Sequence, residues 1–369
     1  MKLKISSVEP PESDELEVSI FGPGKGESVV LHLGAGRWLV VDSCIDQQSG
    51  AKPPLEYLRR IGVDVSRDVK MIVGTHAHDD HFAGIADIFE ACSEAIFVVS
   101  DALTTKEFMA QIAADAEIPQ LSRSRAYREY SRIFQIAESR KKDGFRPLRR
   151  GTESLRLLSF PAENGVPAVT VTALSPSEQA KTRALKILAS QAPQVNGRRG
   201  KVSQLDPNEA SVALWVEFGD VRILLGADLL KGPAGCGWKA VISTHFPDAP
   251  ASLYKVAHHG GESSHYQPVW DGLLTANPVA LLAPFRNGNI DQPQPGDIAR
   301  ILSMTNRAYI TASGSPTPSR AVRREASKLG SLASNVRELW GRAGHVRARR
   351  RANEGDWAVQ AFPPAALLK

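Results

Sequence analysis

The chain has 369 residues, enough to bury a large core, and its formal net charge at neutral pH is +5. A hydrophobic fraction of 42% and a charged fraction of 23% exclude a disordered chain, and no apolar run reaches the length needed to span a membrane. We expect a single soluble domain over 1–369, with a mostly helical insertion at about 104–207 and a basic C-terminal extension at about 330–369.

The N-terminal residues and the cysteines indicate the compartment. The first residues lack the apolar segment of a signal peptide, so the expected location is the cytoplasm, without membrane contact. Cys44, Cys92 and Cys236 are odd in number and far apart, which argues against a disulfide framework and against a thiolate zinc cluster.

Short apolar strands open the chain. The residue pattern predicts strands over 16–21, 28–33 and 38–42, separated by glycine-rich turns. A helix over 55–61 follows, and then a buried strand over 69–75.

The six residues after that buried strand form the most informative run of the sequence. His76, His78, Asp80 and His81 place four candidate metal ligands within it, and the following residues predict a helix start. Loops between a strand and a helix often carry chemistry, and imidazole beside carboxylate suits a hydrolytic metal site. The run therefore predicts a metal centre.

The second half of the chain predicts further strands that end in ligand-type residues. After a strand over 95–100, the pattern over 104–150 is helical and charged; a strand over 169–174 and a helix over 178–191 follow. A polar, basic loop over 193–207 precedes a hairpin over 211–225, which leads to Asp228. A strand over 252–256 delivers His258 and His259. The remainder predicts strands over 280–283, 308–311 and 356–362, with helices over 297–304 and 319–329.

The order of these strand-end residues resembles the metallo-β-lactamase superfamily. It runs from Asp42 through the His-rich run to Asp228 and the His258–His259 pair. The resemblance spans about 17–312 and implies an α/β fold, an αββα sandwich that here carries a helical insertion. Three segments look closest to the hydrolase domain of ComEC-type DNA-uptake proteins: NEAS from Asn208 to Ser211, LLGAD ending at Asp228, and KVAHHGG beginning at Lys255.

The resemblance implies a role for each of these residues. His76 and His78 would bind a first divalent ion, and Asp80, His81 and His258 a second. Asp228 would bridge the two ions, and Asp42 would orient the ligand imidazoles from behind. Of the histidine pair, His258 is preferred as the ligand because it comes first after the strand. His259 remains the alternative ligand.

One ligand of the superfamily pattern is missing. No histidine occurs from residue 82 to residue 227, and Asn208 stands near the place of the usual third ligand of the first metal. Because an amide oxygen is a weaker ligand, we expect a loosely held first ion, with zinc or manganese, or alternatively magnesium, as the metals.

The expected chemistry is hydrolysis by metal-activated water, most readily of a phosphodiester in nucleic acid or a nucleotide. Asp80 would orient the water and His259 would protonate the leaving oxygen. The expected substrate contacts and supports of the site are Ser211, Lys255, Ser263 and Ser264.

Two other functions stay open. The same metal pair would hydrolyse an ester, lactone, thioester or amide, and a catalytically weak effector subunit with a protein partner fits the missing histidine. Clustered basic residues suit contact with phosphates as well as an ordinary solvated surface. These are Arg140, Lys141, Lys142, Arg146, Arg149 and Arg150; Arg198, Arg199 and Lys201; and Arg347, Arg349, Arg350 and Arg351.

Overall fold

Two eight-stranded sheets form the centre of the molecule. The computed structural model describes residues 9–22, 26–46, 49–103, 125–141, 145–190, 207–287, 290–312 and 343–369. The first sheet has the order β17-β16-β1-β2-β3-β4-β5-β6, and the second has the order β18-β15-β12-β11-β10-β9-β8-β7. The strands of the first sheet are β1 (Glu15–Gly22), β2 (Ser28–Leu33), β3 (Trp38–Val41), β4 (Val69–Gly74), β5 (Ile96–Ser100), β6 (Leu148–Gly151), β16 (Gly344–Arg351) and β17 (Ala358–Phe362). The strands of the second sheet are β7 (Leu155–Phe160), β8 (Val169–Ala173), β9 (Leu214–Phe218), β10 (Val221–Leu225), β11 (Ala251–Lys255), β12 (Leu274–Leu282), β15 (Ala308–Ile310) and β18 (Ala366–Leu367).

The central core lies between the facing surfaces of the two sheets. Alternate residues of a strand point to opposite faces, so that Leu31 of β2 and Val216 of β9 enter this core. The residues that alternate with these along each strand are also buried. Val30 faces outward from the first sheet, and Trp215 faces outward from the second. Strands that are apolar on both faces require a cover on each outer side, which helices supply.

Helices cover both outer faces and complete a four-layer αββα sandwich. The outer core of the first sheet includes residues of α1, α4 and α5, and that of the second includes residues of α7, α8 and α9. The helices are α1 (Pro53–Arg60), α2 (Val65–Asp68), α3 (Asp79–Phe82), α4 (Ile85–Ala91), α5 (Arg125–Ser139), α6 (Glu178–Ser190), α7 (Gly237–Thr244), α8 (Gln267–Leu273) and α9 (Pro295–Met304). A small hairpin of β13 (Phe285–Asn287) and β14 (Ile290–Gln292) stands apart from both sheets. In the part of the chain described, no helix is both long and apolar enough to cross a bilayer.

The predicted helical insertion and C-terminal extension differ from the structure. Three strands, β6, β7 and β8, fall within 104–207 and pair into the main sheets, while β16 and β17 of the C-terminal segment extend the first sheet. The β6 sequence LRRG and the β7 sequence LRLLSF carry polar, exposed residues, so their patterns lack the apolar runs of the other strands. Residues 104–124, the loop over 193–206 with Arg198, Arg199 and Lys201, the helix predicted over 319–329, and Lys142 lie outside the described residues.

The C-terminal arginines are tied into the fold. Arg349 contacts Glu17 Oε2 at 2.8 Å and Arg350 lies 3.8 Å from Asp220 Oδ2, so neighbouring carboxylates offset their charge. Charge reversal at Arg349 would therefore remove the cationic partner of the buried Glu17 carboxylate and destabilise the fold. The structure gives this segment a stabilising role.

The geometry of the sheets gathers the ligand-type residues at one edge. Strands β3 and β4 are parallel, as are β10 and β11, so the carboxyl ends of each pair lie side by side. Asp42 and His76 follow the first pair, and Asp228 and His259 follow the second. Because both sheets present these ends at a common edge, residues far apart in sequence meet there.

Candidate metal centre

Asp42 organises the first half of the centre. It follows β3 in the left-handed backbone conformation, with φ of 58°, and is 2% exposed. Its carboxylate accepts hydrogen bonds from the Thr75 backbone N–H at 2.8 Å and from the Thr75 hydroxyl at 2.7 Å. It also accepts from His81 Nδ1 at 2.8 Å. Since a carboxylate only accepts, Nδ1 of His81 carries a proton, so in the neutral ring Nε2 has the lone pair that a metal ion can take.

Four side chains converge into one ligand group. Asp80, His81, Asp228 and His259 each offer an atom, and these atoms all lie within 4.8 Å of one another. Asp228 Oδ2 is 3.3 Å from His81 Nε2 and 3.4 Å from His259 Nε2. Asp80 Oδ2 is 3.6 Å from His81 Nε2 and 3.3 Å from His259 Nε2.

The two ring nitrogens that face this group fit a metal ion. Nε2 of His81 and Nε2 of His259 are buried and have no hydrogen-bond partner among the described residues. A buried polar atom without a partner costs free energy, on the order of 1–3 kcal/mol. Two such nitrogens beside two carboxylates form the donor set that zinc and manganese take in proteins. The residues therefore fit a divalent cation.

The structure places His259 in the ligand group, whereas the sequence favoured His258. The two residues follow β11 in consecutive left-handed conformations, with φ of 49° and 53°, and this turn sends the two rings in different directions. His259 Nδ1 donates to the Ala283 carbonyl at 3.0 Å, and its ring stacks on Phe285. His258 Nδ1 lies 3.0 Å from Ser263 Oγ. His259 thus occupies the position that the sequence predicted for His258, and His258 lies outside the ligand group.

His76 and His78 lie beside the group. His76 is fully buried, its Nδ1 lies 3.0 Å from Thr75 Oγ1, and its Nε2 is 3.9 Å from Asp228 Oδ2. His78 Nδ1 contacts His76 Nε2 at 3.1 Å. His76 and His78 thus lie outside the group of four, with His76 against Asp228 and His78 against His76.

The remaining predicted residues divide into supports and surface groups. Ser211 Oγ accepts from the Asp228 backbone N–H at 3.2 Å and lies 3.4 Å from His76 Nδ1. Ser211 therefore supports the positions of Asp228 and His76. Buried Ser264 donates to the Ala257 and Gly261 carbonyls, each at 2.9 Å, and stabilises the loop. Asn208 Nδ2 is 3.5 Å from His258 Nε2.

Lys255 and Glu27 form a buried ion pair beneath the centre. Lys255 is 2% exposed, so of the two roles expected for it, substrate contact and support of the site, its position fits the support. Glu27 was not identified from the sequence because it stands in a turn and far along the chain from its partner. The neighbouring Gly26 marks the close approach of this turn to the centre, because a Cβ at that position would collide with the Asp80 backbone.

The charges of the centre shift the pKa values of its groups. Burial lowers the pKa of His259, but Asp228 and Glu27 outweigh burial and raise it to about 10. Burial also lowers the pKa of His81, and the surrounding carboxylates raise it well above its usual value. Burial raises the pKa of Asp228, yet His81 and His259 hold it well below its ordinary range. Strong mutual attraction of this kind marks sites where a cation can replace protons.

The two packed sheets define an αββα protein, and their common edge carries a His and Asp cluster that fits a metal ion. Residues 21–153 match the family model described as the metallo-beta-lactamase superfamily. The matched segment includes Asp42 and the His76 to His81 run, the first half of the candidate metal centre. No curated protein matches the chain in sequence.

Solved structures similar to the chain include three bacterial proteins. The metallo-beta-lactamase fold protein YhfI from Bacillus subtilis is 14% identical, with a TM-score of 0.33, covering 65% of this chain and 70% of that one. A putative metallo-beta-lactamase from Thermotoga maritima is 16% identical, with a TM-score of 0.28 and coverage of 55% and 67%. Zinc-bound PqqB from Methylobacterium extorquens is 14% identical, with a TM-score of 0.28 and coverage of 62% and 58%.

Proposed function

We propose that the protein is a metal-dependent phosphodiesterase that acts on nucleic acid or a nucleotide. The observation that carries this proposal is the convergence of Asp80, His81, Asp228 and His259, in which two buried imidazole nitrogens have no hydrogen-bond partner within the described part of the chain. Support for the substrate class comes from the three sequence segments similar to ComEC-type hydrolase domains, and we include membership of that subfamily in the proposal.

The ligand roles follow from the positions of the side chains. Asp80, His81 and His259 would hold one divalent cation, His76 and His78 would hold the other, and Asp228 would bridge them. Such a pair of cations lowers the pKa of water and clamps the oxygens of a phosphodiester. Asp42 keeps His81 in the tautomer that presents Nε2, and the Ala283 carbonyl does the same for His259.

In this proposal, His258 exchanges a proton with the substrate. It is only partly buried, stands next to the ligand His259, and its ring nitrogens lie near Ser263 Oγ and Asn208 Nδ2. A hydroxyl, an amide and an imidazole form a set of donors suited to phosphate oxygens. We assign to His258 the proton-donor role that the sequence had suggested for His259, and to Asn208 and Ser263 the orientation of that ring.

A substrate panel tests the proposal. The purified protein, loaded with Mn²⁺ or Zn²⁺, is assayed on bis-p-nitrophenyl phosphate, single-stranded DNA, RNA, a cyclic nucleotide and a set of lactones. The expected result is hydrolysis of phosphodiesters, with loss of activity in Asp80→Ala. The matched control is Asp79→Ala, because Asp79 is the exposed neighbour of Asp80 outside the ligand group.

Each other outcome contradicts the proposal in a distinct way. Turnover of lactones without turnover of diesters would assign the centre to carbonyl chemistry. Full occupancy by metal without turnover of any compound would favour an effector subunit. Equal loss of activity in the Asp79 and Asp80 variants would remove the ligand group from the chemistry.

A further inference from the structure

A buried ion pair joins the two sheets directly behind the candidate metal centre. Lys255 stands at the end of β11, and Glu27 precedes β2; both are about 2% exposed. Lys255 Nζ also donates to the Ala227 carbonyl at 2.8 Å, in the peptide unit that leads into Asp228. A buried charge pair of this kind has a large desolvation cost, which interactions with neighbouring groups must offset.

The two oxygens of Asp228 face different surroundings. Oδ1 lies 3.6 Å from Lys255 Nζ. Oδ2 lies 3.3 Å from His81 Nε2 and 3.4 Å from His259 Nε2. Attraction to the ammonium therefore holds one oxygen away from the ligand group and presents the other to it.

Glu27, the other member of the ion pair, also contacts His259. Its Oε1 pairs with Lys255, and its Oε2 lies 3.6 Å from His259 Nδ1. That nitrogen donates to the Ala283 carbonyl, so the Glu27 charge favours a proton on Nδ1 and leaves Nε2 for the centre. One ion pair thus touches two ligands, Asp228 through the lysine and His259 through the glutamate.

We propose that Lys255 and Glu27 act as a positioning pair that limits Asp228 to bridging through Oδ2 alone and tunes the affinity of the centre for cations. This inference rests on the metal centre of the proposed function. Lys255 is a fixed positive charge that opposes the entry of further cations, and Glu27 moderates that opposition by holding the ammonium. The two residues therefore affect metal affinity in opposite directions.

Opposite signs are the expected result. Lys255→Met removes a cation beside the centre and frees Asp228 Oδ1, so Mn²⁺ should bind at least about tenfold more tightly. Glu27→Gln leaves the ammonium with Asp228 as its remaining carboxylate partner, so Mn²⁺ should bind at least about tenfold more weakly. The double variant removes both charges, and its affinity should return to within about threefold of the wild type.

Isothermal titration of the metal-free full chain with Mn²⁺ measures these affinities without any substrate. Lys231→Met is the matched control, because Lys231 is an exposed lysine in the neighbouring loop. Its hydrogen bond to the Ser263 carbonyl comes from the backbone N–H, which the substitution keeps. It should bind Mn²⁺ as the wild type does. Values of kcat and KM for a small diester complete the test: Lys255→Met should lower kcat and leave KM within about twofold, because Asp228 is no longer held to a single bridging oxygen.

Several outcomes would overturn the inference. A rise in KM with unchanged Mn²⁺ affinity in Lys255→Met would make Lys255 a substrate contact. Weakening by both single variants, in step with loss of metal-free stability, would reduce the pair to a structural role. If Lys255→Met does not fold, Glu27→Gln and the double variant still decide: recovery of affinity in the double variant supports the inference, and its absence overturns it. Absence of Mn²⁺ binding in the wild type would instead refute the proposed function itself.

Discussion

At the scale of single residues, the sequence identifies the ligand types but not the directions of their side chains. The His76 to His81 run, Asp42 and Asp228 were all recognisable, because strand ends followed by His and Asp bring donors to one sheet edge. The choice between His258 and His259 depended on two consecutive left-handed residues, and non-glycine residues adopt that conformation too rarely for a pattern to predict it.

The exchange of these two histidines leads to a paired prediction. His259→Ala removes an imidazole from the ligand group and should weaken metal binding by about 10- to 100-fold, whereas His258→Ala should leave metal binding unchanged. In the metal-saturated state, His258→Ala should lower kcat for a phosphodiester by about 100-fold or more, since it removes the proton donor. Metal titration followed by steady-state kinetics gives both values. Weaker metal binding in the His258 variant than in the His259 variant would reverse the assignment.

At the scale of elements, α5 holds α3, the short helix that contains Asp80 and His81, and the following helix α4. Glu129 accepts hydrogen bonds from the Gly84 and Ala86 N–H groups, at the start of α4, and Arg140 donates to the Phe89 carbonyl near the end of α4. Tyr130 stacks on Phe82, the residue after the candidate ligand His81. A helix from the charged segment predicted over 104–150 therefore fixes the positions of α3 and α4. Sequence patterns cannot show this role, because it depends on contacts between residues distant in the chain.

Glu129 is expected to act as a cap supplied from a neighbouring helix. Glu129→Ala should lower the free energy of unfolding by about 1–2 kcal/mol, because two backbone N–H groups lose their acceptor. Glu138→Ala is the control on the same helix, where the glutamate is exposed and pairs with Lys141; its effect should stay within about 0.5 kcal/mol. Urea denaturation of the metal-free protein measures both changes. Equal effects would show that Glu129 has no capping role.

At the scale of the whole molecule, the sequence predicted the central strands, and the resemblance implied the four-layer class, while strands towards the edges of the sheets were missed. The central strands are apolar on both faces, as in β2 with SVVLHL, and such runs are readily recognised. The edge strand β6, with LRRG, has polar residues on its exposed side and resembles a loop. Pairing with β5 defines it as a strand, and that pairing is a tertiary contact that a local pattern does not contain.

Acid should destabilise the fold through a histidine far from the centre. His32 Nδ1 donates to the Glu15 carbonyl at 2.7 Å, and its Nε2 accepts from the Gly36 N–H at 3.1 Å, an arrangement that only the neutral ring can form. Burial lowers the pKa of His32 from 6.5 to about 4. Between these values the unfolded chain binds a proton that the folded chain does not, so stability decreases as the pH falls below about 6.5.

The variant His32→Gln isolates this contribution. Between pH 7 and pH 5, the wild type should lose about 2 kcal/mol more unfolding free energy than the variant. Denaturant melts of both metal-free proteins at several pH values provide the comparison. Parallel stability curves for the two proteins would contradict the assignment.

The central claim is that both sheets bring Asp80, His81, Asp228 and His259 around a divalent cation. A crystal structure of the protein grown with Mn²⁺, with anomalous diffraction data, tests it most directly. We predict an anomalous peak within coordinating distance of these four residues, with Asp228 coordinating through Oδ2 and His258 outside the coordination sphere. A peak elsewhere, or no peak at this edge of the sheets in a crystal saturated with Mn²⁺, would contradict the claim.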